Sequence, residues 1–260
     1  MTASTTWGGA PAPSRYILGM RVDATSYRDA CEKVVSWARS RQSRYVCVAT
    51  VNNAMEGHDS RSFLQVMNAA DLVTPDGMPL VWGLRMLGAA NATRVYGPDL
   101  TPQLLDAAER EQIQVGFYGG SPAVLKRLLE VVAQRYPRLP MVYSCSPPFR
   151  PLGPEEERQI ADEINRSGTR ILFVGLNTPK QDRWMAGQRG RVRAVMLGVG
   201  AAFDFLAGAK PQAPRWMMRA GLEWLFRFAS EPRRLWRRYL KHNPRFVFLF
   251  ALQLLGLRRF

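Results

Sequence analysis

Five short apolar runs, each closed by a polar or glycine-rich turn and followed by a helix-like stretch, constrain this chain more than anything else in it. They cover residues 45–49, 72–74, 115–118, 170–175 and 194–200. Runs this short and this continuously apolar read as strands buried on both faces, which is the signature of a parallel sheet rather than of a half-solvated one. No hairpin signal is visible between them, and residues 16–22 read as one further strand at the start. The expectation is an α/β fold: a Rossmann-like, mostly parallel sheet with helices on both faces. Residues 1–14, rich in Thr, Ser, Gly and Pro, read as a flexible arm. The α/β domain covers residues 15–209, and residues 210–260 form a basic and apolar helical appendage.

In an open sheet of this kind, chemistry collects where strands hand over to helices. The clearest such place is residues 70–79, Ala-Asp-Leu-Val-Thr-Pro-Asp-Gly-Met-Pro. Pro75-Asp76-Gly77 is a turn, since Pro presets φ and Gly accepts a positive φ, and Pro79 suits the first turn of a helix. Asp76 either shapes this turn or offers its carboxylate to a ligand. Three other strand ends carry polar or glycine residues. Thr50 and Asn52 follow residues 45–49 and can cap the next helix or bind. Gly119 and Gly120 let backbone approach a ligand before a helix N-terminus that favours an anion, although many such turns bind nothing. Lys180, Gln181 and Asp182 open a helix after residues 170–175.

The net charge of +15 sits mainly in the tail: residues 210–260 hold twelve Lys and Arg against Glu223 and Glu231, a net +10, leaving +5 for the rest. A basic tail calls for an anionic partner, whether phosphate, nucleic acid or a membrane face. As a helix, Leu235, Trp236, Tyr239 and Leu240 share one face, with Arg233, Arg234, Arg237, Arg238 and Lys241 opposite. The apolar run at 246–257 spans about 18 Å as a helix, too short for ~30 Å of hydrocarbon. It either lies in a membrane interface or packs as core. The three cysteines form no CxxC pair, which argues for a reducing compartment, and no signal peptide is visible.

Several chemistries are missing from the sequence. There is no DxD pair for a nucleotide-bound metal, no HExxH, no GxSxG and no clustered histidine, so no metal is expected. No aromatic-basic RNA-binding pattern occurs, and nucleic acid is not expected as a partner. One carboxylate, neutral hydrogen-bonding groups and guanidinium groups remain. They suit group transfer from a phosphate-activated donor: the carboxylate takes a proton from an acceptor hydroxyl while arginines hold the leaving diphosphate.

With these residues in view, the chain resembles the WecG/TagA/CpsF family of bacterial glycosyltransferases (glycosyltransferase family 26). Seven pieces carry the resemblance in order: 50–52, 70–77, 117–120, Gly175 with 179–182, 198–204, 223–227 and 231–234. It implies an inverting transferase that moves a sugar from a UDP-sugar (N-acetylmannosamine, its uronic acid, or glucose) to a polyprenyl-diphosphate-linked glycan. It implies peripheral attachment at the cytoplasmic face of the bacterial inner membrane, with an anionic membrane surface as partner and no cofactor beyond the donor substrate. Self-association into a homo-oligomer stays open. Asp76 falls at the family's base position, and Thr50, Asn52 and Gln181 at its sugar-site positions. Arg227, Arg234 and Arg237 fit the arginines of the appendage. Two departures concern sugar specificity: Lys210-Pro211-Gln212-Ala213-Pro214 stands where Arg-Ala-Pro is frequent, and Asp182 stands where Glu is usual. The rival class is a non-catalytic basic protein that binds membrane or nucleic acid through the same tail. Such a binder has no need of Asp76 beside Thr50 and Asn52.

Overall fold

The computed structural model describes residues 13–258 and Phe260. Most of the arm expected over 1–14 lies outside the described residues, and Ser14 already begins a strand. The chain runs through β1 (Ser14–Ile17), β2 (Met20–Asp23), α1 (Tyr27–Arg39), β3 (Arg44–Ala49), α2 (Val51–Asp59), α3 (Arg61–Asn68), β4 (Leu72–Pro75) and α4 (Met78–Met86). It continues with α5 (Gly97–Glu111), β5 (Val115–Gly119), α6 (Pro122–Arg135), β6 (Met141–Cys145), α7 (Pro154–Arg166), β7 (Ile171–Gly175), α8 (Lys180–Gln188), β8 (Val195–Gly198) and α9 (Ala202–Leu206). The last segment adds α10 (Arg215–Arg219), α11 (Glu223–Ser230) and α12 (Pro232–Leu254). The side chains of Arg234 and Arg238, on α12, are outside the described residues.

Six strands form an all-parallel sheet in the order β4-β3-β8-β7-β5-β6. Alternate residues of each strand feed two cores, as the two-residue period of a strand requires. Tyr45, Cys47 and Ala49 of β3 face the core beneath α2, α3, α4, α7 and α8. Val46 and Val48 face the one beneath α1, α5, α6 and α9. The expected Rossmann-like architecture is therefore present, with helices on both faces.

Residues 16–22 are not one strand. They form a hairpin, β1 with β2, around Leu18 (φ 51°) and Gly19 (φ 83°). A two-residue turn with both φ positive matches the twist of its strands but normally draws on Gly, Asn or Asp. Leu18 costs about 1–2 kcal/mol in that conformation. Its side chain is buried, which contributes about 1.5–3 kcal/mol in return. Gln253 of α12 secures the turn: its Oε1 accepts from the Leu18 N–H at 2.8 Å and its Nε2 donates to the Tyr16 carbonyl at 2.6 Å.

The C-terminal helix is thus packed against the start of the chain. Phe246, Leu249 and Phe250 are buried in the same core as Ile17, Leu80 and Leu84. Val247, Phe248 and Leu255 on its other side are 67, 63 and 71% exposed. The core reading of the apolar run therefore holds for one face of this helix, and its other face is exposed. No helix among the described residues is long and apolar enough to cross a membrane.

Candidate active site

Parallel strands bring their C-terminal ends to one edge, and the turns after β3 and β4 lie side by side there. The Asp76 N–H donates to the Ala49 carbonyl at 2.8 Å, which ties one turn to the other. Thr50 caps α2, its hydroxyl accepting from the Asn52 N–H at 3.2 Å while Asn53 Oδ1 accepts from the Thr50 N–H at 3.1 Å. The cap fixes Asn52 on the first turn of α2. Its Oδ1 is buried without a partner, an acceptor left for a ligand's donor. Behind these turns, Asn53 Nδ2 donates to Thr178 Oγ1 at 3.1 Å, and that hydroxyl donates to Asp182 at 2.8 Å. The fully buried Asp182 carboxyl is pushed up to about 6 by desolvation, and it links the turn after β7 to the turn after β3.

Arg94, in the loop before α5, organises the charge. Its Nε donates to the Asp76 carbonyl, and its Nη2 donates both to Asp76 Oδ1 at 3.1 Å and to Glu223 Oε2 on α11. Its guanidinium carbon lies 4.2 Å from the centre of the Tyr96 ring. The Asp76 side chain is only 14% exposed. Burial lifts its carboxyl to about 6, against the lowering pull of Arg94 and with a further raising push from Glu223. An Asp at a helix start would ordinarily be pulled down by the helix dipole; desolvation outweighs that here. A carboxylate poised near neutrality suits a general base. Arg227, one helical turn after Glu223, sits 3.9 Å from its other oxygen and 5.6 Å over the Phe205 ring.

These groups line one cavity of about 890 Å³. Thr50, Asn52, Asp76, Arg94, Glu223 and Arg227 make its polar end. From there it runs between α4 and α12, where Trp82, Met86, Val247, Phe250 and Leu254 make it apolar. No group of three or more His, Cys, Asp or Glu among the described residues is placed to hold a metal ion.

The structure therefore brings together Thr50, Asn52, Asp76 and Arg227. Gly119 ends β5, Gly120 follows it, and Lys180 and Gln181 follow β7; none of the four lines this cavity. Gly119 (φ 118°) lies against the Gly175 backbone, where an added Cβ would come within 2.7 Å of the carbonyl. Gly119→Ala is expected to cost at least about 1–3 kcal/mol from strain alone, measured by denaturant unfolding. Gly120 donates its N–H to the Gly175 carbonyl at 3.0 Å. Gln181 is buried and accepts from the Gly200 N–H at 3.1 Å, while Lys180 is exposed. Arg237 is exposed on α12, its guanidinium 5.3 Å over the Trp236 ring. The Arg234 side chain lies outside the described residues. Arg94 and Glu223 were not among the expected site residues. Glu223 stood in a recognisable motif piece, but nothing in the order of residues signals that it meets Arg94, 129 positions away.

The sequence model of the glycosyl transferase WecG/TagA/CpsF family matches residues 15–260. The chain is 30% identical over 205 residues to an N-acetylglucosaminyldiphosphoundecaprenol N-acetyl-beta-D-mannosaminyltransferase of Bacillus spizizenii, covering 78% of this chain and 77% of that protein. It is 25% identical over 238 residues to the protein of the same name from Staphylococcus aureus strain MW2, covering 90% and 91%.

Proposed function

This chain belongs to the WecG/TagA/CpsF family of glycosyl transferases, and we propose that it moves N-acetylmannosamine from its UDP-sugar to a sugar carried on polyprenyl diphosphate. The observation that carries this reading is the single cavity with a charged, base-bearing end and an apolar end. An acceptor hydroxyl at the polar end attacks the anomeric carbon of the donor from the side opposite the diphosphate. The new C–O bond forms as the bond to the diphosphate breaks, so the configuration inverts. Asp76 takes the hydroxyl proton, and UDP leaves with its charge facing Arg227 and Arg94. The buried Asn52 Oδ1 accepts from a sugar hydroxyl or amide. The apolar end, between Trp82, Met86, Phe250 and Leu254, houses the isoprene units next to the acceptor's diphosphate.

The placement of the exposed residues supports peripheral attachment at the cytoplasmic membrane face. Leu240, Phe248 and Leu255 are exposed along α12 together with Arg233 and Arg237. Apolar and basic side chains on one exposed helix suit an anionic interface, where each basic residue contributes about 1 kcal/mol.

A panel of UDP-sugars offered with a short-chain polyprenyl-diphosphate N-acetylglucosamine acceptor tests the reading. Transfer is expected from UDP-N-acetylmannosamine above the others, and it is expected to persist in EDTA because arginines serve the diphosphate. Binding to anionic vesicles with no transfer from any UDP-sugar would favour the non-catalytic reading. Activity lost in EDTA and restored by manganese would overturn the metal-free site.

A further inference from the structure

The C-terminal segment brings more than cations to this cavity: it also brings a carboxylate. Glu223 opens α11, its side chain 13% exposed, and one nitrogen of Arg94 donates to it and to Asp76 together. Elementary charge counting gives this arrangement a consequence. A base paired one-to-one with a guanidinium is neutralised, held low and a poor proton acceptor. Arg94 divides its charge between two carboxylates, and the second guanidinium, Arg227, lies 3.9 Å from Glu223.

We propose that Glu223 is a positioning residue of the transfer site: by competing with Asp76 for Arg94, it leaves the Asp76 carboxylate free to accept a proton and fixes α11 over the base. The inference rests on the reading of Asp76 as the general base. The charged and titratable groups facing Asp76 fit the assignment. Arg94 lies on one side, Glu223 and Arg227 on α11 come from above, and Tyr27 and Tyr96 lie near enough to feel its charge. Arg227 lies 3.9 Å from Glu223, so the same carboxylate spaces the guanidinium that faces the leaving diphosphate. Burial and Glu223 both raise the Asp76 carboxyl, and Arg94 and Arg227 both lower it. Removing the Glu223 charge therefore lowers it.

The test compares wild type with Glu223→Gln and Glu223→Asp. The Asp76 carboxyl is titrated by carbon-13 NMR in the protein without substrate, and its signal is assigned with Asp76→Asn. Wild type is expected to titrate near pH 6. Glu223→Gln is expected to move this down by about two to three pH units, as loss of a unit charge ~4–6 Å away at an effective dielectric near 20 requires. The acid limb of kcat/KM is expected to follow, and Glu223→Asp to restore much of both. An unmoved Asp76 titration in a folded Glu223→Gln protein, shown folded by its circular dichroism and melting curve, would overturn the proposal. If Glu223→Gln does not fold, Glu223→Asn is titrated in its place: a downward displacement of Asp76 supports the proposal, and an unmoved Asp76 overturns it. The NMR readout needs no turnover. An Asp76 that titrates as described in a protein inactive on every UDP-sugar would therefore sink the function and leave the Glu223 assignment standing.

Discussion

Asn in place of Asp76 is expected to lower sugar transfer by about 10²–10⁴-fold, the usual contribution of a general base, with the fold retained. The amide keeps the size of the side chain, and its oxygen can still accept from Arg94 Nη2, which now reaches Asp76 at 3.1 Å. The backbone contacts of the turn, Asp76 N–H to the Ala49 carbonyl and Arg94 Nε to the Asp76 carbonyl, do not depend on the carboxylate. Only proton acceptance is lost. The base must be ionised to act, so wild-type kcat/KM is expected to fall as pH drops through about 6, where the carboxyl protonates. That limb should be missing from the residual activity of the variant. Asp182 also titrates near 6, but it sits behind Thr178, off the cavity. Asp182→Asn is therefore expected to leave the limb in place. Binding of the donor, followed by calorimetry, should survive Asp76→Asn or tighten, since Arg94 is then balanced by Glu223 alone. Near-normal turnover in Asp76→Asn would return Asp76 to the role of a turn former.

The strand ends that carry this chemistry were legible because the sheet is parallel. Apart from β6 at the sheet edge, each strand is buried on both faces, so Val46, Cys47 and Val48, or Leu172, Phe173 and Val174, form continuous apolar runs that stop where polar turns begin. The hairpin was illegible for a local reason. Leu18 adopts a conformation that leucine rarely takes, and only its tertiary burial and the Gln253 side chain hold it there. The site itself divides along the same line. Asp76, Thr50 and Asn52 follow their strands directly, and chain order places them. Arg94 and Glu223 meet only because α11 returns to the turn after β4, a relation that no local pattern records. Periodicity leaves the covering of the tail undecided. Leu235, Trp236, Tyr239 and Leu240 share a helical face, yet Leu235 is buried while Trp236 and Leu240 are 42 and 67% exposed. A helical stripe shows which side chains point together, and only the partner surface decides whether they are covered.

That distinction leads to the second large effect, within a single turn of α12. Phe250→Ala is expected to destabilise the protein by about 3–5 kcal/mol, a large share of the 5–15 kcal/mol typical of a folded domain. Phe250 stacks on Phe246 with ring centres 5.7 Å apart and presses on Gly83, where an added Cβ would lie 3.1 Å from its ring. Its removal opens a hole where α4, β1 and α12 meet, since Gly83 faces both Phe250 and Ile17. Phe248, two residues earlier, is 63% exposed and touches none of this. Phe248→Ser, alone or with Leu255→Ser, is expected to change stability by no more than about 0.5 kcal/mol per site. The same pair should weaken sedimentation with anionic vesicles, because it removes apolar surface that would otherwise enter the interface. Denaturant unfolding and vesicle sedimentation on the two sets of variants separate the roles. A Phe248 variant as destabilised as Phe250→Ala would mean that its face is covered in solution. A Phe248, Leu255 double variant that still sediments fully would leave membrane attachment to the basic side chains of the helix.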